Sequence, residues 1–134
     1  MNIQLKGLLN VILSGLYNKP LDMSCEDLDM LYGLAKVHSV GNLFYKAIQD
    51  RQDLPDDLKE KAKSHYLGNI QQQILQDYYA EQIFRALNEE NIKYMPLKGY
   101  YLRKLYPSPE LRTSCDIDFF YDVSRTNDLK TIMR

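Results

Sequence analysis

With 134 residues, 45% of them hydrophobic and 26% charged, the chain can bury a modest core and is too apolar to be a disordered tail. Its 17 basic and 18 acidic residues leave a formal net charge of −1, so no overall field grips nucleic acid or an anionic membrane, and a phosphate ligand must be held locally. Cys25 and Cys115 are too few and too far apart for a disulfide scaffold or a zinc site, which predicts a reducing cytoplasm.

Ile3, Leu5, Leu8, Leu9, Ile12, Leu13 and Leu16 recur at spacings of three and four, which predicts an amphipathic helix from Ile3 to Tyr17, stopped by Asn18-Lys19-Pro20. Asn10 and Gly15 break its apolar run, which fits an amphipathic globular helix better than a signal peptide, and nowhere does the chain hold the roughly 20 apolar residues of a membrane span. Ser24 and Asp27 have the layout of a capping box with Asp in place of Glu, opening a helix that Leu28, Leu31, Leu34 and Ala35 carry to His38. Ser39-Val40-Gly41 breaks the chain before a short helix through Leu43, Phe44, Ala47 and Ile48. Pro55, Asp56 and Asp57 suit the first turn of a helix that no proline interrupts before Glu90; about 35 residues at 1.5 Å each make it roughly 50 Å long, with a bend expected near Gly68-Asn69. Its apolar positions drift around the surface, so it is expected to pack on the earlier helices, to extend towards the segment after Glu90, and to offer a surface for a homodimer.

At Asn91 the texture changes. Ile92, Tyr94, Met95 and Leu97 predict a short strand that Pro96 confines to an edge or an end. A helical run from Tyr100 to Tyr106 stops at Pro107-Ser108-Pro109, Asp116 to Tyr121 reads as a second strand, and Ser124 opens a last helix. That helix has no capping glycine, proline or polar tail by Arg134, so the chain is expected to be the N-terminal portion of a longer protein.

On an extended strand Asp116, Asp118 and Phe120 share one face and Cys115, Ile117, Phe119 and Tyr121 the other. The two carboxylates then lie about 7 Å apart, close enough to meet one cation, and Mg²⁺ is the hard cation that takes carboxylate and phosphate oxygens together. Upstream, Lys98-Gly99 places a glycine where strand turns into helix, so backbone N–H groups and the helix dipole can meet a phosphate, with Lys98 and Arg112 adding positive charge. A D-x-D triplet alone is a common surface pair; its link to Lys-Gly, Arg and an aromatic strand gives it meaning. His38 and His65 have no second ligand at metal spacing, the eleven tyrosines are expected to supply core and interface bulk, Cys115 is expected on the buried inner face, and Ser114 has no His and Asp partners for hydrolase chemistry.

The run Pro96-Leu97-Lys98-Gly99, Leu105-Tyr106-Pro107, Leu111-Arg112 and Asp116-Ile117-Asp118 resembles the signature of an uncharacterised bacterial nucleotidyltransferase family within the DNA polymerase β-like superfamily, whose members have a helical region before the motif. The resemblance implies an α+β protein: a helical region over 1–90, then the N-terminal half of a nucleotidyltransferase core over 91–134. It further implies transfer of a nucleoside monophosphate from an NTP to a small-molecule or protein hydroxyl, using two Mg²⁺ ions. Asp116 and Asp118 take the place of the metal-binding catalytic aspartates, and Gly99 that of the glycine in the triphosphate turn. Two departures stand out. Gly99 is followed by Tyr100 where the superfamily usually has serine or glycine, and no third carboxylate is evident, since Asp122 ends the strand and Asp128 starts a helix. The alternative is a catalytically incomplete module that serves oligomerisation or partner binding.

Overall fold

In a computed structural model that describes residues 3–133, the first helix, α1 (Ile3–Tyr17), runs to its expected boundary, where Asn18 leaves it with a left-handed φ of 52°. Its inner face is the predicted one only in part: Leu8 is buried and Ile12 packs against the core, but small residues beside them share that face. Gly7, Leu8, Val11, Ser14 and Gly15 are buried, whereas Leu5, Leu9 and Leu13 are exposed. The cause is close helix approach: a Cβ on Gly15 would collide with the Leu43 carbonyl of α3 (Gly41–Ile48), and one on Gly7 would lie 2.9 Å from Leu31 Cδ1 of α2 (Cys25–Val37). Small residues set this packing face because they let backbones approach.

Ser24 caps α2, its Oγ accepting from the Asp27 N–H at 3.2 Å and donating to the Asp27 carboxylate at 2.7 Å. At the far end Ser39 turns left-handed at φ 57°, and its N–H and that of Val40 close back on the Lys36 and Ala35 carbonyls. This Schellman closure satisfies carbonyls that a helix end leaves open. Gly41, expected with Ser39 and Val40 to break the chain, is the first residue of α3, and it lies so close to the His65 ring that a Cβ would stand 2.6 Å from it.

The long helix α4 (Asp56–Glu89) has 34 residues and is continuous through Gly68-Asn69. It serves two cores. Leu58 and Ala62 join Leu8, Val11, Leu28, Leu31, Phe44 and Ile48 in the first, and Ala80, Phe84 and Leu87 join Ile92 in the second. Asn91, at φ 53°, ends α4 by the same Schellman closure, Ile92 N–H reaching the Leu87 carbonyl at 2.8 Å while its side chain enters the second core.

Strands β1 (Tyr94–Pro96) and β2 (Phe119–Tyr121) pair antiparallel with Met95 opposite Phe120. Between them run α5 (Lys98–Leu102) and 3-10 turns at Arg103–Leu105 and Pro109–Leu111; a further 3-10 turn leads into α6 (Thr126–Ile132). The architecture is α+β and mostly helical. Among the described residues no helix is long and apolar enough to cross a membrane.

A polar network ties the connection to the first core. Buried Asn42 donates to the Glu110 carbonyl and accepts from Asn69 at 2.6 Å, Asn69 lies 3.1 Å from His65 Nε2, and Tyr66 donates to the Glu110 carboxylate at 3.2 Å. Burial, with Glu110 adding to it, pushes the Tyr66 hydroxyl up to about 12. Burial also works to raise Glu110, but hydrogen bonds from Ser108, its own backbone and Tyr66 outweigh it and hold the carboxyl below its usual range. His65 sits below its ordinary value of 6.5, by burial first and Lys36 second. The unfolded chain therefore binds a proton on His65 that the folded chain refuses. Stability is expected to fall as pH drops through the window just below 6.5, and His65→Gln should flatten that part of a urea-midpoint profile. An unchanged slope would mean that His65 is not the group responsible.

Candidate active site

The two halves of the motif meet at the sheet end. Leu97 N–H donates to the Asp118 carbonyl at 2.8 Å, one step past the Pro96 to Phe119 pair, so Lys98-Gly99 and Asp118 are neighbours in space. Their side chains make a loose ion pair, Lys98 Nζ to Asp118 Oδ2 at 3.8 Å, with the Asp118 side chain 38% exposed.

The turn is built differently from expectation. Lys98, not Gly99, takes the left-handed backbone, at φ 32°, a conformation that is strained for a residue with a side chain. Gly99 is required for space: a Cβ would lie 2.5 Å from Ser114 Oγ and 3.4 Å from Arg112 Nη1. The helix that starts there has 5 residues, too short to bring much of a macrodipole to bear. Positive charge at the turn therefore comes from side chains. Arg112 makes no side-chain hydrogen bond or ion pair with any described residue.

The aspartates also differ from expectation. Asp116, Ile117 and Asp118 all precede β2 instead of lying within it, because the partner strand turns away at Lys98; only the Asp118 carbonyl still takes a bond from that side, from Leu97 N–H. The alternation survives without the ladder. Ile117, Phe119 and Tyr121 pack on the second core, while Asp116 and Phe120 are exposed. Cys115, expected on the inner face, is exposed, since the extended run has not yet reached the core there.

Three contributors are not evident from the sequence. Ser114, which lacks partners for nucleophilic chemistry, holds its hydroxyl against Gly99 and donates to the Asp116 carbonyl at a long 3.4 Å. Thr113 Oγ1 beside it is buried without a hydrogen-bond partner among the described residues. Arg103 is 5% exposed, ion-paired with Asp77 of α4, and lies 5.0 Å over the Tyr100 ring, which clamps the turn to the long helix. The position two before Asp116 was the available signal for Ser114; nothing local marks Arg103, whose partner is 26 residues away.

Among the described residues no group of three or more His, Cys, Asp or Glu could hold a metal ion. The donor set does suit a cation that brings its own ligands. Asp116 and Asp118 are the kind of donor that a hard cation such as Mg²⁺ takes together with phosphate oxygens and water, while the space beside Gly99 is filled by the Ser114 hydroxyl.

On an α+β scaffold Lys98 and Arg112 thus flank a glycine turn, with Asp118 paired to Lys98 and Asp116 two residues earlier on the same extended segment. Residues 24–134 match the family described as uncharacterised nucleotidyltransferase, and the chain belongs to it; its general role is nucleotidyl transfer. The match opens at the Ser24 cap, so α1 lies outside it. No curated protein and no solved structure matches the chain.

Proposed function

We propose that the protein is a Mg²⁺-dependent, polymerase β-like nucleotidyltransferase that moves a nucleoside monophosphate from an NTP to a hydroxyl of a small molecule or protein. The observation that carries this reading is the meeting of Gly99, Ser114 and Arg112, which pairs with no described residue, with the Lys98 to Asp118 pair at one sheet end. The acceptor hydroxyl gives up its proton to solvent as its oxygen attacks the α-phosphorus, the bond from that phosphorus to the bridging oxygen breaks, and pyrophosphate leaves with the electron pair. Asp116 and Asp118 would hold the metal, which supplies charge neutralisation on the phosphates and polarisation of the reacting oxygens. With Asp118 engaged by a metal, Lys98 would be free to bind the phosphates. Arg112 offers a forked donor, and the Ser114 hydroxyl a further hydrogen bond. The net charge of −1 supports a small or protein acceptor over a polymeric nucleic acid. Calorimetry with each NTP, with and without Mg²⁺, tests the reading; absence of heat from all of them would sink it.

A second reading rests on α4. Leu67, Ile74 and Tyr78 lie within one face of the helix, all about half exposed or more, with Leu75 beside them. Two copies crossing antiparallel near Ile74 would cover both stripes, an isologous arrangement. Light scattering should then give a dimer mass that Ile74→Glu converts to monomer; a monomer for the unsubstituted chain at high concentration removes this reading.

A further inference from the structure

Beside the site a cleft of about 510 Å³ runs between the end of α1 and the segment after α5. Leu16 and Tyr17 form one wall, Leu102, Leu105, Tyr106 and Pro107 the other, and Arg112 closes the end. The same Arg112 guanidinium reaches the Gly99 turn, so the cleft continues the line from Asp118 through Lys98 and Gly99. Its volume is that of a small-molecule site.

We infer that this cleft takes the nucleoside half of the NTP, stacked on its tyrosines, with the phosphates passing Arg112 towards Gly99. This rests on the nucleotidyltransferase reading and deepens it. Charge complementarity fixes the direction. The walls are apolar or aromatic and the one ionic group among the lining residues is cationic, so a molecule with a flat ring at one end and an anionic chain at the other fits in one orientation only. The lining holds no carboxylate and no side-chain amide to pair with a base edge. Stacking accepts any base because every base has a π-face, whereas discrimination needs hydrogen-bonding groups matched to an edge. Selection among the four NTPs is therefore weak. Because Tyr17 comes from α1, outside the matched span, this wall is supplied by a part of the chain distinct from the family's shared segment.

The test is calorimetry in Mg²⁺ with ATP, GTP, CTP and UTP beside inorganic tripolyphosphate, which has the charge and no base. The four NTPs are expected within about threefold of one another and each tighter than tripolyphosphate. Tyr106→Ala should weaken every NTP by about 5- to 100-fold, the range of one lost stacking contact, and leave tripolyphosphate unchanged. Tyr17→Ala, at a residue 64% exposed whose one ring contact is the Lys19 ammonium at 5.7 Å among the described residues, should act in the same direction. Tripolyphosphate binding as tightly as the NTPs, equal losses for both ligands in the variants, or a preference above about a hundredfold for one base would overturn the inference while leaving the phosphate site standing. Binding of neither ligand would overturn both.

Discussion

Replacing Phe84 by alanine is expected to cost about 3–5 kcal/mol and to release the sheet end that carries the candidate site, while the first helical core keeps its structure. Phe84 is 8% exposed and is the hub of the second core, stacked on Tyr94 at 4.8 Å and 7°, and edge-on to Tyr100 at 5.5 Å and Phe119 at 6.0 Å. One side chain thus joins α4 to β1, α5 and β2 at once. Four buried residues make up this core against eleven in the first, so the same loss is a far larger share of what holds it. A domain of this size has about 5–15 kcal/mol in total, and its parts open at different free energies. Hydrogen exchange should therefore show the Leu97 and Asp122 amides, which close the ladder at either end, losing protection in Phe84→Ala while amides of α2 and α3 retain theirs. Phe44→Ala, fully buried in the first core, is the control and should reverse the pattern. Uniform loss across the chain in both variants would show a single cooperative unit instead.

How legible these features are in the sequence depends on the distance over which they are determined. Ser24 with Asp27, Asn18 after α1 and Asn91 after α4 act within one turn of chain, so side-chain chemistry alone places those boundaries. The inward set Ile117, Phe119 and Tyr121 follows from the alternation of an extended chain and holds even where no ladder exists. What the local pattern misses is set by partners far along the chain. Gly7 and Gly15 line the buried face of α1 because α2 and α3 come close, and hydropathy gives glycine no weight for that. The start of β2 is decided by where β1 ends, and Cys115 is exposed for the same reason. At the candidate site the Lys-Gly pair is visible as a turn, but which residue bears the positive φ is not. Glycine would take it at no cost; Ser114 packed against Gly99 claims that position for its lack of a Cβ, and Lys98 bears the strain instead.

Asparagine in place of Asp116 or Asp118 is expected to lower the magnesium-dependent part of NTP affinity by about 10- to 100-fold or more, the loss of a direct ligand being no smaller than that of an outer-shell partner. Turnover, read as pyrophosphate release, should fall by at least about 10³-fold, or about 4 kcal/mol of barrier, since the charge that develops on the leaving oxygens would lose its counter-ion. The two variants are nearly isosteric with the native residues, and neither carboxylate lies in a core, so folding should be spared. Their behaviour without metal should differ. Asp118 is ion-paired with Lys98 at 3.8 Å, and its neutralisation frees an ammonium group 76% exposed beside the turn. Asp118→Asn should therefore bind tripolyphosphate more tightly than the native chain in chelator, whereas Asp116→Asn, whose side chain pairs with no described cation, should gain less. Opposite signs with and without magnesium are what a carboxylate shared between a lysine and a metal must give. An affinity insensitive to magnesium in the native chain and in both variants would assign the two aspartates to the solvated surface and leave the phosphate contacts to Lys98, Arg112 and Ser114 alone.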